Sequence, residues 1–98
     1  MAYKITISRK AEDSLDEIFE YLVENWSDKI KNNFKNKLNN EINYLRQNPY
    51  MYQASNERQD IRRCFITKHN ALYYRILENE VEIITIHNTK SNPDSLIF

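Results

Sequence analysis

The sequence predicts an α+β fold in the order β-α-α-β-β-β, an antiparallel sheet of about four strands covered on one face by a helical hairpin. Three observations predict it. Residues 3–7 alternate apolar and polar side chains, as a half-buried strand does. Two runs with apolar residues every three or four positions follow, which is helical spacing. Three strand-like segments, 61–67, 71–77 and 81–87, then close the chain. At 98 residues the chain has room for a single domain, residues 1–98.

In the first strand Tyr3, Ile5 and Ile7 share one face, while Lys4 and Thr6 share the other. Ser8 can cap the helix that follows, and Glu12 and Asp13 suit its positive end. Ala11, Leu15, Ile18, Leu22 and Trp26 form its apolar stripe, widened by Phe19 and Val23. Ser27-Asp28 breaks the pattern and offers a second cap. Ile30, Phe34, Leu38, Ile42 and Leu45 form the next stripe, ended by Asn48-Pro49. So short a link makes the two helices an antiparallel hairpin. Trp26, Phe19 and Phe34 are assigned to the core. Residues 50–60 have no period and form a loop, in which Tyr50-Met51-Tyr52 either folds over the sheet edge or presents a contact surface. Strands 2–4 form a meander, which leaves strand 1 to pair at an edge and one sheet face open. The apolar end, Leu96-Ile97-Phe98, fits either a core or a contact role.

Composition narrows the chemistry. Fourteen basic and 14 acidic residues cancel, so bulk attraction to nucleic acid is absent and only a local patch could serve. Glycine is absent, which removes dinucleotide fingerprints, phosphate-cradling loops and nucleophile elbows, and leaves positive-φ turns to Asn. No cofactor is expected. Cys64 is the sole cysteine and lies in an apolar run, so it is expected to be a small buried hydrophobe. With His69 and His87 it makes no metal spacing, and no metal site is expected. Nothing looks like a signal peptide or a membrane span, and a cytoplasmic location is expected.

One local patch stands out. From Ile61 to Leu77 there is no Asp or Glu, but there are Arg62, Arg63, Lys68, His69 and Arg75. Such a stretch suits phosphate or an acidic partner; it also suits a solvated face whose arginines pair with Glu78, Glu80 or Glu82. A three-residue loop at Glu78-Asn79-Glu80 would set Leu77 opposite Val81, Arg75 opposite Ile83, Tyr73 opposite Thr85 and Ala71 opposite His87. Tyr73, Arg75, Thr85 and His87 would then share the open face. Leu72, Tyr74, Ile76, Ile84 and Ile86 would share the core face.

Several pieces resemble the RelE/ParE superfamily of type II toxins, and in particular its ParE-like, plasmid-stabilisation branch. They are the first-helix run Ala11 to Leu22, Leu45 with Pro49, Ile61-Arg62-Arg63, Tyr73-Tyr74-Arg75-Ile76, the strand Val81 to His87, and Asn92-Pro93. The resemblance covers nearly the whole chain. It implies a bacterial growth inhibitor neutralised by a cognate antitoxin, with a homodimer or a toxin–antitoxin heterotetramer as open assemblies. ParE-like members inhibit DNA gyrase, whereas RelE-like members cut messenger RNA on the ribosome.

For the nuclease alternative, His87 would be the acid or base. Arg75 with Arg62 or Arg63 would steady the phosphate, and Tyr73 or Tyr74 would stack a base. Lys68 and Lys90 complete the set of target- or phosphate-binding candidates. The resemblance to nucleases is thinner than to ParE. Cys64-Phe65-Ile66-Thr67 stands where nucleases carry further basic residues, and the tail offers Lys90 and no Tyr. The reading is therefore a gyrase-directed toxin without catalysis of its own. A metal-independent endoribonuclease is the first alternative and a non-toxic binding module of the same fold the second.

Overall fold

The computed structural model describes residues 2–54 and 60–88. Lys90, Asn92-Pro93, the apolar end and residues 55–59 of the loop lie outside the described residues. The elements are β1 (Lys4–Ile7), α1 (Arg9–Asn25), α2 (Asp28–Gln47), β2 (Arg62–Thr67), β3 (Asn70–Leu77) and β4 (Glu80–Asn88). They give the expected α+β order. Sheet order is β1-β4-β3-β2. The sheet is mixed rather than wholly antiparallel, because β1 runs parallel to β4. The helices explain this. Two helices return the chain to the end where β1 began, and the Tyr3 N–H donates to the Arg46 carbonyl at 2.8 Å. Strand β2 therefore starts from that same end and runs with β1, and so does β4 after two hairpin reversals.

Both helices start where a serine permits. Ser8 Oγ accepts from the Ala11 N–H at 3.0 Å, and Ser27 Oγ from the Ile30 N–H at 3.2 Å. Each cap satisfies a donor left over at a helix start, worth about 1 kcal/mol. Helix α1 lies against β4 and α2 against β2. The Phe19 and Phe34 rings meet edge to face at 6.0 Å and join the helices. Between helices and sheet lies the main core, where Leu45, Cys64, Leu72, Tyr74, Val81 and Ile83 are almost wholly buried.

Trp26 does not join it. The residue is 68% exposed, against the core assignment from its spacing. It caps the end of α1, where the helical phase that aimed Ala11 to Leu22 at the sheet stops. Val23 and Ile30, beside the same link, are also exposed. The loop after α2 divides. Tyr50 and Met51 are exposed. Tyr52 turns inward and its hydroxyl donates to Glu41 Oε2 at 2.6 Å.

The β3–β4 hairpin departs from the expected register. Leu77 pairs with Glu80, so the turn holds two residues, Glu78 and Asn79. Glu78, not an Asn, takes the positive φ, at 52°. Val81 pairs with Ile76, Glu82 with Arg75 and Ile83 with Tyr74. A bulge then leaves Ile84 without an opposite residue, and pairing resumes with Thr85 to Tyr73 and His87 to Ala71. The expected loop length was one residue too long, and the bulge restores the expected pairing beyond it. Ser8 holds the bulge in place. Its N–H donates to the Ile83 carbonyl at 2.9 Å, and its hydroxyl donates to the Ile84 carbonyl at 2.6 Å. One side chain therefore starts α1 and fixes the kink in β4.

Candidate functional site

The sheet face away from the helices carries most of the candidate side chains. Alternation along β3 sends Leu72, Tyr74 and Ile76 to the core and Ala71, Tyr73 and Arg75 to this second face. On β4 the bulge turns Ile84 to the second face rather than to the core, and Ile84 packs there with Ile61, Ala71 and Tyr73. This face is not the open surface the sequence suggested. Ile61, Ala71, Tyr73 and Thr85 are all buried.

Arg75 lies directly across from Glu82, and its Nε donates to Glu82 Oε1 at 2.6 Å. Their side chains are 40% and 30% exposed, so the pair is partly shielded from water. Glu80, one pleat along, accepts from Thr6 Oγ1 at 2.6 Å. Arg63 is exposed on the same face, with its guanidinium 5.0 Å from the Phe65 ring centre.

His87 is half-buried at the other end of the face. Its ring meets Tyr73 edge-on at 6.3 Å. Its Nε2 and the Thr85 hydroxyl are buried and find no hydrogen-bond partner among the described residues. Burial, and then the charge of Lys10 on α1, hold the imidazole below its usual proton affinity. His87 is thus biased towards the neutral form.

The remaining candidates separate. Arg62 turns to the helix side, where its guanidinium donates to the Tyr52 carbonyl and lies 5.1 Å from the Tyr50 ring centre. It fastens the loop and does not join Arg63 and Arg75. Neither Tyr73 nor Tyr74 is available to stack a base, since both are buried. Tyr74 spends its hydroxyl on the Pro49 carbonyl at 2.6 Å. Lys68 and His69 are exposed in the β2–β3 turn. The nuclease set of His87 and Arg75 is not assembled either. Their pairing partners, Ala71 and Arg75 itself, stand four positions apart on β3, about 13 Å at the usual strand rise.

Glu82 was one of three carboxylates the sequence offered to the arginines, but the three-residue loop set Ile83 opposite Arg75; the two-residue turn at Glu78-Asn79 puts Glu82 there instead. Sequence reasoning missed the partly buried group at Glu41. Glu41 Oε2 accepts from Tyr52 and, at 3.3 Å, from Cys64 Sγ. Burial first, and then the Glu41 hydrogen bond, push the Cys64 thiol up to about 12. Cys64 is buried, as its apolar run suggested, and is held as an un-ionised thiol. No linear signal marks this group, because α2, the loop and β2 each contribute one member. Among the described residues no three His, Cys, Asp or Glu side chains gather as metal ligands, and no helix is long and apolar enough to cross a membrane.

The family model for the ParE toxin of the type II toxin–antitoxin system, parDE, matches residues 5–93. No curated protein matches the chain in sequence. Among solved structures, a chain of the chromosomal ParDE toxin–antitoxin system from P. aeruginosa superposes with a TM-score of 0.78. The two are 16% identical over 91% of this chain and 98% of that one. The YoeB dimer from Staphylococcus aureus gives 0.60 at 20% identity, over 89% of this chain and 97% of that one. The E. coli DinJ–YafQ toxin–antitoxin complex gives 0.63 at 12%, over 90% of this chain and 93% of that one. At these identities the likeness is one of fold.

Proposed function

Because the chain belongs to the ParE toxin family of type II toxin–antitoxin systems, we propose that it inhibits growth by binding DNA gyrase, without catalysis of its own, and that a cognate antitoxin silences it. One observation carries the choice of a binding toxin over an endoribonuclease. Arg75, the candidate nuclease arginine, is ion-paired through its Nε with Glu82, and His87, the candidate acid or base, lies about 13 Å along the sheet. An RNA-cleaving site needs both groups on one phosphate, with the cation free to meet developing charge. The exposed aromatics suit protein partners better. Trp26 at the hairpin tip and Tyr50-Met51 after α2 present apolar area of the kind that protein interfaces bury. The bacterial cytoplasm is the compartment this activity requires.

Tightly controlled expression in bacterial cells tests the proposal. The expected outcome is DNA-damage signalling and filamentation with messenger RNA intact, together with inhibition of gyrase supercoiling by the purified chain. Rapid loss of messages with cuts inside codons would overturn it. Arg75→Ala and His87→Ala should both remain toxic; loss of toxicity in both folded variants, with antitoxin binding kept, would restore the nuclease reading.

A further inference from the structure

We infer that Glu82 is a specificity-determining residue, which occupies Arg75 from the directly opposite strand position and so keeps nucleic-acid phosphate off this sheet face. The inference rests on the binding-toxin reading above and supplies a reason for it. The stretch 61–77 has no carboxylate of its own and, taken alone, would be a cationic strip. Tertiary structure cancels part of that strip by laying β4 beside β3. Facing positions on paired strands place their Cβ atoms about 5 Å apart, so an Arg and a Glu there meet without stretching. The 2.6 Å contact is a short, charge-assisted hydrogen bond.

Both backbones are fixed around it. The two-residue turn lies on one side and the bulge, held by Ser8, on the other. A phosphate meeting the other N–H groups of Arg75 would sit beside the Glu82 carboxylate, whose charge opposes it. The neighbouring Glu80, engaged by Thr6, adds a second negative charge at the same end of the face. As a stabilising contact the pair offers little, since partly exposed ion pairs contribute at most about 1 kcal/mol. Its larger consequence is electrostatic, because it removes a cation from the face where the fold would otherwise present one.

Binding of a labelled single-stranded RNA oligonucleotide to the full chain at low salt tests this. Glu82→Gln should bind about three- to tenfold tighter than the unaltered chain, with a steeper dependence on salt. Glu17→Gln, which removes the same charge on the exposed side of α1, should change binding less than about twofold. Adding Arg75→Gln to Glu82→Gln should abolish the gain. If Glu82→Gln binds no better than Glu17→Gln, or its gain survives loss of Arg75, the inference is wrong. Glu82→Ala and thermal melts of each variant guard against a folding defect. Cleavage of the probe by the unaltered chain would instead overturn the binding-toxin reading, while the ratio between variants still decides the role of Glu82.

Discussion

On the helix-covered face of the sheet, buried polar groups have partners: the Tyr74 hydroxyl has the Pro49 carbonyl, and Tyr52 and Cys64 share Glu41. On the opposite face the Thr85 hydroxyl and His87 Nε2 are buried without one among the described residues, and the arginines are stacked or ion-paired near the surface. The same strands build both faces, so strand chemistry is not the cause. The difference lies in what each face packs against. Two helices bring apolar area to the first, and its polar groups meet the Glu41 carboxylate on α2 and the Pro49 carbonyl just after it. Among the described residues, the second carries a small cluster around Ile61, Ala71 and Tyr73. The first face is where stability comes from. On the second, two buried polar atoms have no partner among the described residues, an arrangement that costs free energy.

The sharpest way to break this contrast is a cavity. Leu45→Ala, on the satisfied face, should cost about 2–5 kcal/mol, because the fully buried leucine leaves space its neighbours only partly fill. Urea unfolding with an unchanged slope checks it, and a cost below about 1 kcal/mol would mean the helices repack freely. Next comes Tyr74→Phe, which strands the Pro49 carbonyl and should cost about 1–3 kcal/mol.

Thr85→Val should reverse the sign. It keeps the shape and removes an unpartnered hydroxyl, so stability should rise by up to about 1 kcal/mol. Destabilisation by a similar amount would show that the hydroxyl is satisfied in solution. The smallest effect concerns acid. The unfolded chain protonates His87 near the ordinary value of 6.5, and the folded chain only at lower pH. Just below 6.5 the unfolded state therefore binds more protons, and stability falls as pH drops through that value. Melts from about pH 7.5 to about pH 5.5 should show a loss that His87→Gln reduces. Equal losses in both would remove His87 as the cause.

At the alkaline end the satisfied face should give way. Cys64, ordinarily ionising near 9.0, is held protonated up to about 12 in the folded chain. The folded state thus binds the extra proton between those values, and stability declines as pH climbs through them.

Much of this was open to reading along the chain. Ser8 and Ser27 mark both helix starts, and the spacing of Phe34, Leu38 and Leu45 picks out the buried side of α2. These are local facts, since a cap needs only the next three residues and a stripe only the helical period. Trp26 shows the limit. Its spacing continues the stripe of α1, but the helix ends there and the ring points outward.

The sequence alone determined the order of elements, the caps, the core stripes and the burial of Cys64, because each follows from neighbours within a few residues. Only the tertiary structure decided the parallel pairing of β1, the bulge at Ile84 and the partners of the arginines. Each of those depends on where distant segments return. Arg62 and Arg63 are adjacent in the chain, yet pleating sends one to the loop and the other to the far face. Arg75 stands in a stretch without acids, yet it meets Glu82 because a two-residue turn folds β4 back upon it. A residue of difference in that turn inverts which face a side chain occupies, and no pattern of types along the chain fixes it without the packing.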